Sequence, residues 1–156
     1  MKLETFLVPV DFSAVTNAVY ETAAELAVRT GAHVVVLKVT EPELDYVGMA
    51  PPQPYATATD LVTQSAEASL RVAREFFAQH SVQVETQHRV GPVVSVILAE
   101  AEKRTADLIV LGSHGHGAIY NLLLGSVAEG VIRSSKIPVV VVPDPWAAAG
   151  KQSNPS

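Results

Sequence analysis

Four stretches of the chain are almost unbroken in their hydrophobicity: Phe6-Leu7-Val8-Pro9-Val10, Val34-Val35-Val36-Leu37, Leu108-Ile109-Val110-Leu111 and Val139-Val140-Val141-Val142. Each is shorter than an ordinary helix and too continuous for a sheet with one wet face, which predicts strands covered on both faces, the condition of a parallel sheet. Residues 82–90 alternate apolar and polar more closely, and their position between two helical stretches predicts a further strand. Apolar residues return at helical spacing in the intervening segments: Val15, Val19, Ala23 and Leu26 with Ala27; Ala66, Leu70, Ala73 and Phe77; Val94, Ile97, Leu98 and Ala101. Ser13 is expected to cap the first of these helices, Gly31 to end it, and Pro92 to occupy the first turn of the third.

Strand and helix therefore alternate along the chain, with a last helix before the final valines. That order specifies an α/β fold, a doubly wound five-stranded parallel sheet with helices on both faces, and puts a ligand crevice beyond the carboxyl ends of the strands. One domain is expected over residues 1–145, followed by a flexible tail at 146–156. Residues 40–59, with Pro42, Pro51, Pro52 and Pro54, lack periodicity and are long for a connection, so they are read as a mobile flap or partner surface.

Composition narrows the function classes. Hydrophobic residues are 48% and charged residues 17% of the 156, proportions of a folding domain rather than a disordered chain. The formal charge of −5 and the lack of any Lys/Arg run argue against nucleic acid as a partner. A mononucleotide is not excluded by that charge, because backbone N–H groups at a helix start hold phosphates without basic side chains. Glu4, Pro9 and Asp11 interrupt the only signal-like beginning, and no apolar run approaches the ~20 residues of a membrane span, so a cytoplasmic protein without membrane contact is expected. The absence of cysteine removes disulfides and thiol catalysis.

The chemistry concentrates in Leu111-Gly112-Ser113-His114-Gly115-His116-Gly117, directly after the fourth strand, and in Gly125-Ser126 at the start of the next helix. Glycines let a backbone approach a ligand closely, and Ser126 with the first N–H groups from Val127 onward offers donors at a positive helix end, a surface suited to phosphate oxygens. The competing reading is a glycine-rich turn that serves chain reversal alone. The second Gly-Ser pair, returning at a helix start on the ligand side of the sheet, favours phosphate.

The spacing Gly112-x2-Gly115-x9-Gly125-Ser126, after Asp107-Leu108-Ile109-Val110-Leu111 and before Ile137-Pro138-Val139-Val140-Val141-Val142-Pro143, resembles the ATP-binding branch of the universal stress protein family. The likeness extends to Leu7-Val8-Pro9-Val10-Asp11-Phe12-Ser13 and to Gly91-Pro92, so it covers nearly the whole chain. It implies an ATP-binding stress-response regulator. In it Pro9, Val10 and Asp11 would meet the nucleoside, Val39 the adenine, and Leu111, Gly112, His114, Gly115, Gly125, Ser126 and Val127 the ribose and phosphates. Magnesium would be held through the ATP phosphates, and a homodimer would form through Val139–Val142, an apolar edge that otherwise lacks cover. An unidentified protein partner would read the bound state. Asp11 also has a simpler role, a residue favoured near a helix start by the dipole. Histidine at 114 is expected to tighten ATP binding as pH falls from about 8 to about 6.

Other chemistries fit less well. His114-x-His116 lacks a third metal ligand, and Ser113 lacks the glycine two residues earlier that a nucleophile elbow needs. There is no Gly-Lys-Ser or Gly-Lys-Thr, and Tyr120 stands where a dinucleotide loop has its last glycine. The motif region has no lysine or arginine before Arg133, which leaves at most a slow ATP hydrolase. The remaining alternative is a dimeric interaction scaffold that ignores nucleotide.

Overall fold

The computed structural model describes residues 1–42, 58–114 and 124–145. Its elements run β1 (Thr5–Val10), α1 (Thr16–Thr30), β2 (His33–Thr40), α2 (Ala58–Gln79), β3 (Val84–Val90), α3 (Val93–Lys103), β4 (Leu108–Gly112), α4 (Ser126–Ser134) and β5 (Val139–Val142). The sheet is wholly parallel in the order β3-β2-β1-β4-β5, the doubly wound α/β arrangement expected. Consecutive parallel strands need crossovers, and the direction of winding reverses between β1 and β4.

The continuous apolar runs are explained by burial on two sides. Phe6, Val8, Val34, Val36 and Val110 pack with Val19, Tyr20, Leu70 and Phe77 of α1 and α2. On the opposite face Leu7, Val35, Leu37, Ile109 and Leu111 pack with Ile97, Ala101, Ala128 and Val131 of α3 and α4. Phe6, Leu7, Val34, Val35, Val36 and Leu37 have no measurable exposure, so neither face of the sheet centre sees water.

Two local expectations need correction. Ser13 does not cap α1: the helix starts after Val15, which stands at the capping position without a side-chain bond. Ser13 is instead drawn into a tight turn, its N–H donating to Asp11 Oδ1 at 3.0 Å and its carbonyl accepting from Thr16 N at 3.1 Å. The short Asp11 carboxylate captured the backbone before the helix began. Pro92 is at the cap of α3 rather than in its first turn, with extended ψ of 122°, and its carbonyl accepts from Val96 N. Gly31 does end α1, at φ 75° with its N–H donating to Ala27 O, a left-handed step that glycine makes without strain.

The expected flap lies mostly outside the described residues, which resume at 58, as do the tail 146–156 and Trp146. Among the described residues, no helix is long and apolar enough to cross a membrane.

Candidate functional site

The strands β1 and β2 stay in register over six residues, from Thr5↔His33 to Val10↔Lys38. Between β1 and β4 only Phe6↔Leu108 and Leu7↔Ile109 pair. The ladder stops short of Pro9, which has no N–H to donate, and the winding reverses between these two strands, so a crevice lies beyond their carboxyl ends.

That crevice is a cavity of about 590 Å³, within the range of small-molecule sites. Pro9, Val10 and Asp11 reach it from β1 and the turn after it, and Val39 from β2. Leu111, Gly112 and His114 reach it from β4 and its end, and Gly125, Ser126 and Val127 from the start of α4. Every site residue named from the sequence is thus gathered at one place except Gly115, which lies outside the described residues together with His116.

The turn after β1 is held sharply. Phe12 takes φ 61°, a left-handed conformation unusual for a bulky residue, and the bond from Ser13 N to Asp11 Oδ1 closes the turn around it. The result fixes Asp11 beside the cavity at the entry to α1. On the other strand, Ser113 N donates to Val142 O at 2.8 Å, and Ser113 O accepts from Gly125 N at 2.6 Å. Those two bonds bring the start of α4 back to the end of β4, although residues 115–123 lie between them in sequence. The Ser113 side chain is buried and its Oγ lies 3.0 Å from His114 Nδ1, which orients the ring.

Gly112 has a reason the sequence did not reveal. A Cβ there would fall 2.6 Å from Val15 Cγ1 and 3.2 Å from His114 O, so the glycine is needed first for the close approach of α1 to β4. At α4, Gly125 caps with extended backbone and no side-chain bond, so the first N–H groups of the helix are not taken by a capping side chain. Glu129 in that first turn is paired with Arg133 at 2.8 Å, which offsets a charge that would otherwise repel an anion.

The wall formed by α3, including Val93 and Ile97, is braced from behind by an ionic cluster. Glu100, 6% exposed, accepts from Arg89 Nε at 2.9 Å and from Arg104 Nε at 3.3 Å, and Arg104 pairs with Glu85 at 2.7 Å. Burial pushes the Glu100 carboxyl up, but the hydrogen bonds from both arginines outweigh it and hold it below the usual carboxylate range. The hydrogen bond from Arg104 likewise lowers Glu85. On the other face, Thr40 Oγ1 lies 2.9 Å from His88 Nε2, and burial lowers the His88 imidazole from its ordinary value.

Sequence reasoning missed several lining residues. Val15, Thr16 and Val19 of α1, and Lys38 and Thr40 of β2, border the cavity but belong to no motif. The one available signal was position: Lys38 and Thr40 flank Val39 at the carboxyl end of a strand that had been identified. Among the described residues no group of three His, Asp or Glu side chains could hold a metal ion.

Residues 2–143 match the Universal stress protein family. Universal stress protein MJ0531 of Methanocaldococcus jannaschii is 30% identical over 139 residues, which are 89% of this chain and 81% of that protein. The solved structure of hypothetical protein MJ0577 from the same organism superposes with a TM-score of 0.79 at 24% identity, covering 92% of this chain and 97% of the other. Two further structures are a universal stress protein in complex with cAMP (TM-score 0.70, 24% identity, 92% and 99% covered) and one from Archaeoglobus fulgidus in complex with dAMP (0.63, 24%, 91% and 99%). At these identities the structures speak to the fold, and the family match with the MJ0531 relationship settles ancestry. The chain belongs to the universal stress protein family.

Proposed function

We propose that this protein is an ATP-binding regulator of the stress-response type, holding one nucleotide in the cavity beyond β1 and β4. The observation that carries the reading is the convergence of Asp11, Val39, Gly112, His114, Gly125 and Ser126, far apart in sequence, on a single cavity of about 590 Å³. Its division of labour suits a nucleotide. Apolar Leu37, Val39, Ile97 and Leu111 offer a surface for a base, Asp11 an acceptor for ribose hydroxyls, and the start of α4 donors for phosphate. The protein solved with cAMP and the one solved with dAMP supply support by analogy of fold. Magnesium, if bound with ATP, would sit on the phosphates, where Asp11 and Ser126 are the oxygen-bearing side chains able to position it. A role as sensor rather than dedicated enzyme follows from the lack of a lysine or arginine at the start of α4.

A second copy of the chain is proposed to pair with β5. This strand is one of the two sheet edges, and three of its four valines are only half-buried. Light scattering at micromolar concentration is expected to give a dimer, and a monomer would remove this part of the reading.

The test is calorimetric titration of ATP, with magnesium, into protein refolded from denaturant to remove carried-over nucleotide. Saturable micromolar binding near one site per chain is expected, with ADP, AMP and cAMP titrated alongside to rank them. A correctly folded protein that gives no heat with any of them would transfer the function to the nucleotide-independent scaffold.

A further inference from the structure

The apolar part of the cavity belongs to the α3/α4 face of the sheet. Val39 and Leu111 reach it from the strand ends, Val93 and Ile97 from α3, and Val127 from the start of α4. Residues 93 and 97 are one turn apart and share a helix face, while 94 and 96 project to either side of it, each by about 80° at 100° per residue. Both flanking valines meet a glycine. A Cβ on Gly91, in the turn before α3, would fall 2.9 Å from Val96 Cγ2, and one on Gly130 of α4 would fall 2.9 Å from Val94 Cγ2 and 3.3 Å from Val94 Cγ1. We propose that Gly130, acting through Val94, is a positioning residue that sets the width of a slot between α3 and α4 and so makes the site prefer a two-ring base. The proposal rests on the nucleotide reading above and names what selects the base within it.

Gly130 stands in the middle of α4 (Ser126–Ser134) without a positive φ, a place where alanine is the better helix former. Its reason lies across the helix pair. Both positions of Val94 nearest to it are taken by methyl groups, so any staggered χ1 leaves at least one of them filled, and rotation of Val94 does not make room for a Cβ. An alanine at 130 therefore pushes α3 and α4 apart. The contact lies close to the cavity on both sides: Gly130 is one turn after Ser126, and Val94 follows Val93. The strand ends beneath cannot follow, because Val39 is held in register with Arg89 and Leu111 with Val141. Farther along α3, Glu100 is tied to Arg89 of β3 at 2.9 Å, so the give falls on the half of α3 that borders the cavity. Dispersion between flat rings and apolar walls fades within about 1 Å of added separation, and a base of two rings loses more of it than a base of one. Gly91 closes the opposite flank of α3, but its φ of 152° strains any side chain there for a separate reason, which makes Gly130 the cleaner probe.

The experiment titrates stripped wild-type protein, Gly130→Ala, Val94→Ala and the double variant with adenosine, cytidine, and ATP with magnesium, after circular dichroism and urea midpoints have verified folding. Gly130→Ala is expected to weaken adenosine and ATP by the same factor, about tenfold, and cytidine by no more than about threefold, so that the preference for the larger base narrows. Its urea midpoint should fall although alanine favours the helix. In the double variant, where Val94→Ala removes both methyl groups, adenosine affinity should return to within about twofold of that of Val94→Ala alone. Val94→Ile, which enlarges the other side of the same contact, should narrow the base preference in the same direction and serves if Gly130→Ala does not fold. A raised urea midpoint with unchanged adenosine affinity in Gly130→Ala would make the glycine an ordinary helix position and overturn the proposal. So would a loss that Val94→Ala does not rescue, or a loss for ATP that adenosine does not share, since the second places the effect at the phosphate end. Wild-type protein that binds neither adenosine nor ATP removes the nucleotide reading and the slot together, whereas wild-type binding that ignores both Gly130→Ala and Val94→Ile removes the slot alone.

Discussion

The two ends of the sheet are built from the same five strands and treated in opposite ways. At the amino end Asp107 Oδ2 accepts from Glu4 N at 2.8 Å and Thr5 N at 3.0 Å, and Asp107 N donates back to Thr5 O. His33 N bonds to Glu4 O, Val34 N to Gln83 O, and Ile109 N to Pro138 O, so a chain of short bonds runs across all five strands. At the carboxyl end Gly91 N bonds to Thr40 O and Ser113 N to Val142 O, but the β1–β4 ladder stops short of Pro9 and the ends of β1, β2 and β4 line the cavity. The winding reverses between β1 and β4, so no crossover covers that place. Stability is concentrated at the closed end and behind the walls of the open one, which leaves the open end free to carry ligand groups.

The comparison breaks most readily where the open end is braced. Glu100→Ala leaves Arg89 and Arg104 without their shared acceptor, and about 3 kcal/mol of stability is expected to be lost in urea denaturation, with β3 and α3 loosened together. At the closed end Asp107→Ala orphans two backbone N–H groups, for an expected loss of about 2 kcal/mol with nucleotide affinity unchanged. If that variant weakens ligand binding as much as it weakens the fold, the two ends are not independent.

Acid sharpens the same contrast. Glu100 and Glu85 have folded values below the usual carboxylate range, so their contribution is fully present above about pH 4 and is lost as pH falls through those lowered values. Urea midpoints measured downward from neutrality should fall steeply in that range, and the fall should flatten in Glu100→Gln.

At the open end Asp11→Asn keeps an acceptor for Ser13 N, so the turn and the stability should stand while ATP affinity drops by about tenfold in calorimetry. Unchanged affinity would take Asp11 out of the site. The smallest effect concerns His88. Burial lowers its folded value, so the stability it contributes is present above about pH 6.5 and is lost as pH falls through that lower value. A shift in the urea midpoint of a few tenths molar that disappears in His88→Gln is the expected signature.

The sequence alone determined the order of elements, because burial on two faces demands continuous apolar runs and helix packing demands a 3.6-residue recurrence. It also indicated the end of the sheet at which the cavity lies, since glycines and the Gly-Ser pair fall at strand and helix termini. Asp11, Gly112 and Ser126, which follow strands or open a helix, were legible as residues that line that cavity. It misjudged the start of α1, where Ser13 has the chemistry of a cap but Asp11 competes for the same backbone. Only the tertiary structure decided that Gly112 accommodates Val15, that the winding reverses between β1 and β4, and that Lys38, Thr40 and Thr16 line one cavity. Those facts depend on which strand lies beside which and on the parity of side chains across the sheet, and neither is written in any local run of residues.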